Sequence, residues 1–284
     1  MSRIAYVAGR YVPHRQAAVH IEDRGFQFAD GVYEVIAVNR RHLVDEAPHL
    51  LRLHRSLAEL RIAAPIGDAA LRIVIREIIR RNGVDTGIVY LQISRGAAPR
   101  EHAFPKAAKP TLVVTARRTR PPDPRVGEAG IAVITIPDIR WQRCDIKSVA
   151  LVANVLGKQA AREKGAYEAW QVDGAGQVTE GTSTNAWIVT ADGTVVTRAA
   201  DTAILNGVTR LAIFDIIRRE GYRLIERPFT VAEAKAAREA FLTSTTADLL
   251  SVVRIDDSPV GEGRPGPLGE KLRAAYFAHA ASAA

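Results

Sequence analysis

Between residues 47 and 60 the apolar pattern of this chain changes period. Leu50, Leu53, Leu57 and Leu60 recur at spacings of three and four, which places them on one face of a helix. The neighbouring runs "GVYEVIAVNRRHLV", "IVYLQISRG" and "TLVVTARR" are rich in β-branched and aromatic residues and read as strands. A helix with a single apolar face needs a partner surface to be stable. The first part of the chain is therefore expected to mix strands and helices.

Other signals agree. "IAYVAGRYV" reads as a hairpin turning at Ala8 and Gly9. Asp68 is the expected N-cap of a second helix, "AALRIVIREIIRRN", and Gly83 its expected stop. Residues 119–130, "TRPPDPRVGEAG", carry prolines and glycines that disfavour regular structure. With 284 residues to place, two domains are expected: a smaller N-terminal α/β domain over 1–118, a linker over 119–130, and a larger C-terminal α+β domain over 131–284.

In the second domain "IAVITIPDIRW" reads as a strand leading into "RCDIKS", and "VALVANVLGKQAAREKG" as a helix stopped by Gly165. The runs "YEAWQVD", "QVTEGTSTNAWIVT" and "GTVVTR" read as a meander. "NGVTRLAIFDIIRREG" opens a helix, "AFLTSTTADLLSVVRID" holds a strand or two, and "LGEKLRAAYFAHAA" forms a terminal helix.

Charge and composition narrow the function. The net charge of +8 is spread among Asp and Glu, with no long basic tract, zinc-finger spacing or RNP-like aromatic motif; this argues against nucleic acid as partner and suits small anionic ligands. No apolar run approaches the roughly 20 residues of a membrane span, and "MSRIAYVAGRYVP" has no apolar signal region. A single cysteine forms no internal disulfide and suits a reducing cytoplasm. No H-x-x-x-H or carboxylate cluster calls for a metal. His49 and His54 fit core packing or solvent contact.

Four segments carry chemistry. Lys147 lies at an inferred strand-to-helix junction near Arg140 and Arg143, and a lysine becomes a carbonyl-trapping nucleophile when burial or a nearby cation lowers its pKa. A plain surface lysine is the other reading of that position. Glu180 in "VTEG" suits a partner for a protonated pyridine nitrogen, and is otherwise a solvated strand residue. Val208 and Thr209 in "NGVTR" start a helix, where backbone N–H groups hold phosphate. "TSTT" over 243–246 adds hydroxyls, or is simply a loop.

In this order the segments resemble the class IV, fold type IV pyridoxal phosphate aminotransferases, and among them the D-amino acid branch. The resemblance is carried by "EDRGFQFADGVYEV", "HLLRLHRSL", "YLQISRGAAPREHAFP", "IRWQRCDIKSVALV", "YEAWQVD", "VTEGTSTNAW", "ILNGVTR" and "FLTSTT". It implies a two-domain fold with the site between the domains and pyridoxal 5'-phosphate as cofactor. Lys147 would bind that cofactor covalently and shuttle a proton, and Glu180 would pair with the ring nitrogen. Arg52, Val208, Thr209, Ser244 and Thr245 would hold the phosphate, and Leu205 would pack on the ring. It also implies a homodimer, without saying which subunit supplies Arg100 and His102.

"PREHAF" bears on the substrate. Arg100 and His102, two residues apart, lie on one side of an extended segment and suit a carboxylate; the resemblance adds Tyr33 as the third member of a carboxylate trap. The implied reaction moves an amino group from a D-amino acid such as D-alanine or D-glutamate to a 2-oxo acid such as 2-oxoglutarate or pyruvate. Alternatives on the same fold are an aminodeoxychorismate lyase and a branched-chain or (R)-amine transaminase; one of a different class is a basic, non-catalytic binding protein. Asn206, Gly157 and the Thr182-Ser183-Thr184 stretch depart from the commoner family pattern. Asp145 is expected to cap the loop or pair with an arginine, and Cys144 to be a packing residue.

Overall fold

A computed structural model of the chain describes residues 3–119 and 124–282. The chain divides into two compact units, Met1–Arg120 with Ile146–Ala150 and Ala280–Ala284, and Pro121–Asp145 with Leu151–His279.

In the first unit β1 (Ile4–Val7) and β2 (Arg10–Pro13) form the expected hairpin, with φ of 45° at Ala8 and 93° at Gly9, the left-handed backbone that a tight two-residue turn requires. The short helix α1 (Arg24–Phe28) leads into β3 (Gly31–Asn39) and β4 (His42–Leu43), and β5 (Gly87–Ser94) and β6 (Thr111–Arg118) complete the sheet. Its order is β2-β1-β6-β5-β3-β4, and all neighbours are antiparallel. The helices α2 (Glu46–Glu59) and α3 (Asp68–Asn82) cover the sheet. Leu50, Leu53 and Leu57 of α2 share one buried core with Val32, Ile36 and Val38 of β3, while Leu60 lies past the helix end and is only partly buried.

Gly83 ends α3 with φ +58°, as its sequence predicts. The start is one residue earlier than expected: Gly67 is the N-cap, and the Asp68 carboxylate instead meets His54 Nε2 at 2.6 Å. The segment 146–150 joins this unit because Ile146 is buried in the same core, a burial worth about 1.5–3 kcal/mol. Main-chain bonds hold it along β3: Tyr33 N donates to Lys147 O at 3.0 Å and Val149 N to Gly31 O at 3.0 Å, with Val32 and Ser148 bridged antiparallel.

The second unit opens with α4 (Pro124–Ala129), inside the stretch expected to lack regular structure. Pro124 occupies the first helical position, where its missing N–H costs nothing; residues 120–123 of that stretch lie outside the described residues. After β7 (Ile131–Pro137), α5 (Val152–Glu163) begins three residues later than the sequence suggests, because Val149 is already bonded to Gly31. The strands β8 (Glu168–Val172), β9 (Val178–Gly181), β10 (Asn185–Val189) and β11 (Val195–Thr197) follow. Then come α6 (Val208–Arg219), β12 (Leu224–Glu226), α7 (Val231–Lys235), β13 (Glu239–Ser244), β14 (Asp248–Ile255), β15 (Ser258–Pro259) and α8 (Pro267–Ser282).

The order of this sheet is β12-β11-β10-β13-β14-β7-β8-β9, with β15 on β14, and β7 runs parallel to both neighbours. The expected meander is broken: β8 pairs with β9, whereas β10 pairs with β11 and β13. The break falls where Gly181 N donates to Thr184 O at 2.7 Å, a bend so tight that a Cβ on Gly181 would lie 2.1 Å from Thr184 Oγ1. Trp187 of β10 stacks on Phe241 of β13 beneath Ile213, Phe214 and Ile217 of α6 and Leu272 of α8. Among the described residues no helix is long and apolar enough to cross a membrane.

Candidate active site

Tyr33, Arg52, Arg100, His102 and Lys147 belong to the first unit. Lys147 is half-buried, and its main chain is pinned on both sides, since its N–H donates to Ser56 Oγ at 3.2 Å and its carbonyl accepts from Tyr33. The ammonium lies 4.2 Å from the centroid of the Tyr33 ring, a cation–π contact that leaves the amine on an aromatic surface. Tyr33 in turn stacks on Tyr90 at 5.8 Å. Burial, with the nearby Tyr33, pushes the Tyr90 hydroxyl up to about 12.

Arg52 sits on α2 with a side chain that is 10 % exposed, and it forks onto Glu34 of β3, Nε to Oε1 at 2.8 Å and Nη2 to Oε2 at 2.7 Å. His49 Nδ1 stands 2.8 Å from the same carboxylate. Burial alone would raise the Glu34 pKa, but Arg52 and His49 outweigh it and hold it down at about 2. The His49 pKa is lowered, first by burial and then by the charges of Arg52 and Lys147 against the pull of Glu34. Glu34 is a site-shaping residue that sequence reasoning missed. Its signal was a carboxylate on the core face of an otherwise apolar alternation, Val32, Glu34, Ile36, Val38.

Arg100 and His102 are exposed and meet on one ring: the Arg100 guanidinium lies 5.0 Å and the His102 ring 5.3 Å from the Phe28 centroid. No hydrogen bond or ring contact among the described residues joins Tyr33 to that pair.

Glu180, Leu205, Val208, Thr209, Ser244 and Thr245 belong to the second unit. Glu180 is buried at the end of β9 and is held from three sides: by Arg140 Nη1, by Asn185 Nδ2 at 3.1 Å and by the Leu205 N–H at 3.1 Å. Arg140 and Arg143, close to Lys147 in sequence, are both committed to carboxylates. Arg140 grips Asp138 as well as Glu180, and Arg143 grips Asp145 at 3.0 and 3.1 Å. Burial lowers the Arg140 pKa, but Asp138 and Glu180 more than reverse this and raise it.

Asn185 is the hub that the sequence left unmarked. Its amide donates to Glu180 and to Leu205 O at 2.9 Å, its backbone pairs with Thr243 across β10 and β13, and a Cβ on Gly207 would lie 2.2 Å from its Oδ1. One residue thus ties Glu180 and the 205–207 loop through its side chain and the strand that ends at Ser244 through its backbone. Gly207 caps α6 with no side-chain hydrogen bond, leaving the buried first turn at Val208 and Thr209 to other acceptors. Ser244 Oγ accepts from Ala247 N at 3.1 Å, so its own proton is available for donation, and Thr245 is half-buried in the same turn. In "TSTT", Thr243 faces inward to Trp187 Nε1 at 3.0 Å.

The departures from pattern have local causes. Asn206 Oδ1 accepts from Arg210 at 3.0 Å, and Gly157 lets α5 close onto Ile136 and Thr182. Thr182, Ser183 and Thr184 turn their hydroxyls onto the fully buried Glu168. Burial is the largest influence on the Cys144 thiol and pushes it up to about 12, consistent with a packing role.

The chain belongs to the class IV aminotransferases: the amino-transferase class IV family model matches residues 31–255. Among curated proteins it is 39% identical to a D-alanine aminotransferase of Bacillus licheniformis, over 94% of this chain and 93% of that one. It is 38% identical to one of Staphylococcus haemolyticus, over 95% of each. Its fold is also that of the branched-chain amino acid aminotransferase of Escherichia coli, with a TM-score of 0.90, 23% identity, and 98% of this chain and 94% of that one covered.

Proposed function

We propose that this protein transfers amino groups from D-amino acids to 2-oxo acids with pyridoxal 5'-phosphate, and that it works as a cytoplasmic homodimer. Bound, the cofactor supplies an electron sink that makes the Cα proton of an amino acid labile. Two features of the chain fit such a group: a buried carboxylate fixed at Glu180, and a helix start at α6 with no side-chain cap.

Lys147 would provide the amine that holds the cofactor, and the same amine, when free, would carry a proton to and from the substrate's Cα. Glu180 would accept a hydrogen bond from the ring nitrogen, with Arg140 supplying the opposite charge that favours its ionised form. The N–H groups of Val208 and Thr209 and the hydroxyls of Thr209, Ser244 and Thr245 would donate to the phosphate, Arg52, whose plane Glu34 fixes, would offer it a cation, and Leu205 would pack on the ring. Arg100, His102 and Tyr33 receive the substrate carboxylate.

The observation that carries this reading is the placement of Lys147, with its backbone bonded on both sides and its amine against Tyr33. Near full-length likeness to curated D-alanine aminotransferases supports the D-amino acid as donor. The test offers D-alanine, L-alanine, L-leucine and (R)-1-phenylethylamine with 2-oxoglutarate, D-glutamate with pyruvate, and aminodeoxychorismate with 2-oxoglutarate. D-alanine should yield pyruvate and D-glutamate. Preference for L-leucine or the amine, or release of pyruvate from aminodeoxychorismate without amino transfer, contradicts it.

A further inference from the structure

We propose that Arg24 and Phe28, both on α1, are positioning residues that set how tightly this enzyme holds the carboxylate of its substrates. The inference rests on the reading of Arg100 and His102 as the carboxylate-binding pair. The loop that carries them, residues 95–110, contains no helix and only one isolated bridge, Asp23 to Ala97. Two long, exposed side chains on such a loop would sample many rotamers, and each ordering event would weaken binding. Something outside the loop has to fix it.

Arg24 does so from beneath. Its side chain is buried, with Nη1 donating to Glu101 O and Nη2 to His102 O at 3.3 Å, so one planar fork holds two successive carbonyls between Arg100 and His102. Its Nε donates to Asp30 at 2.8 Å. Asp30 is itself forked by Arg95 at 2.7 and 2.9 Å, and Arg95 is anchored on the carbonyls of Leu60 and Arg61. The chain of contacts runs from the end of α2 to the loop without a gap.

Phe28 fixes the side chains. Arg24 at 4.9 Å, Arg100 at 5.0 Å and His102 at 5.3 Å all surround its ring, so the substrate-facing pair shares one aromatic platform with the residue that holds its backbone. The position of that ring is set by α1, whose N-cap Asp23 accepts from Gly25 N at 2.9 Å and Ser94 Oγ at 2.8 Å.

The test compares the wild-type holoenzyme with Phe28→Leu, Arg24→Lys, Arg100→Ala and the Phe28→Leu, Arg100→Ala double variant. It measures KM and kcat for D-alanine, melting temperature and the cofactor's absorption band. Phe28→Leu and Arg24→Lys should each raise KM about tenfold with kcat and absorption nearly unchanged, since loosening a group that binds ground state and transition state alike weakens binding without touching the chemistry; the melting temperature should stay nearly unchanged in Phe28→Leu. Because Phe28 acts partly through Arg100 and partly through His102, the double variant should lose less than the product of the two single losses. Unchanged KM in Phe28→Leu, or losses that multiply in the double variant, overturns the inference. Should Arg100→Ala itself leave KM unchanged, the carboxylate reading fails and takes the inference with it.

Discussion

The guanidinium of Arg140 binds two carboxylates at once, donating to Glu180 with Nη1 and gripping Asp138 with Nε at 2.9 Å and Nη2 at 2.7 Å. It also reaches Thr179 Oγ1 and Ala203 O. Glu180 is therefore presented as a charge that the protein has already paired and oriented.

Removing Arg140 leaves two partly buried carboxylates facing each other. Arg140→Met should lower stability by about 3 kcal/mol, the usual cost of breaking a buried pair from one side, and should weaken retention of the cofactor. Glu180→Gln, by contrast, keeps the volume and one acceptor, so it should fold normally while losing turnover about a hundredfold. Urea denaturation and steady-state kinetics on the two variants separate these effects.

The Glu34 cluster predicts an acid limit to stability. Its folded pKa of about 2 lies below the ordinary value of 4.5, so the stabilisation is complete above pH 4.5 and is lost as pH falls through 2. The shift corresponds to about 3 kcal/mol. Glu34→Gln should be less stable at pH 7 and should show a flatter stability profile across this window. Denaturant titrations at several pH values between 7 and 2 check the slope, and parallel profiles for the two proteins would rule the cluster out as its source.

Cys144 should be chemically quiet. With its thiol pushed up to about 12 and its Sγ 3.1 Å from Trp141 O, little thiolate exists at pH 8 in the native fold. A thiol-specific reagent should label the native enzyme slowly and the urea-unfolded chain quickly, and Cys144→Ala should keep most of its activity.

These features differ in how far the sequence announced them. Leu50, Leu53 and Leu57 could be assigned to a buried face because helix periodicity is a local property, and Gly83 could be assigned to a helix end because few residues other than glycine adopt its φ readily. The roles expected of Lys147 and Glu180 have a different source, namely the order of eight sequence blocks along the chain. What surrounds them was not legible there. Arg52 meets Glu34 across 18 residues and Arg140 meets Glu180 across 40; such pairs are fixed by sheet register and helix docking, which no single window contains. The docking of 146–150 along β3 depends on Ile146 finding a core that is built by other elements. Asn185 escaped notice because its neighbours in the run, Thr184 and Ala186, gave no sign of a side chain bonded to both Glu180 and Leu205.

The role of Lys147 is tested most directly by reducing the holoenzyme with borohydride, digesting it, and locating the cofactor by mass spectrometry. The peptide containing Lys147 should carry the added mass, and the Lys147→Ala protein should carry none and should not turn over D-alanine. Added mass on another lysine, or near-normal turnover in Lys147→Ala, would contradict that role.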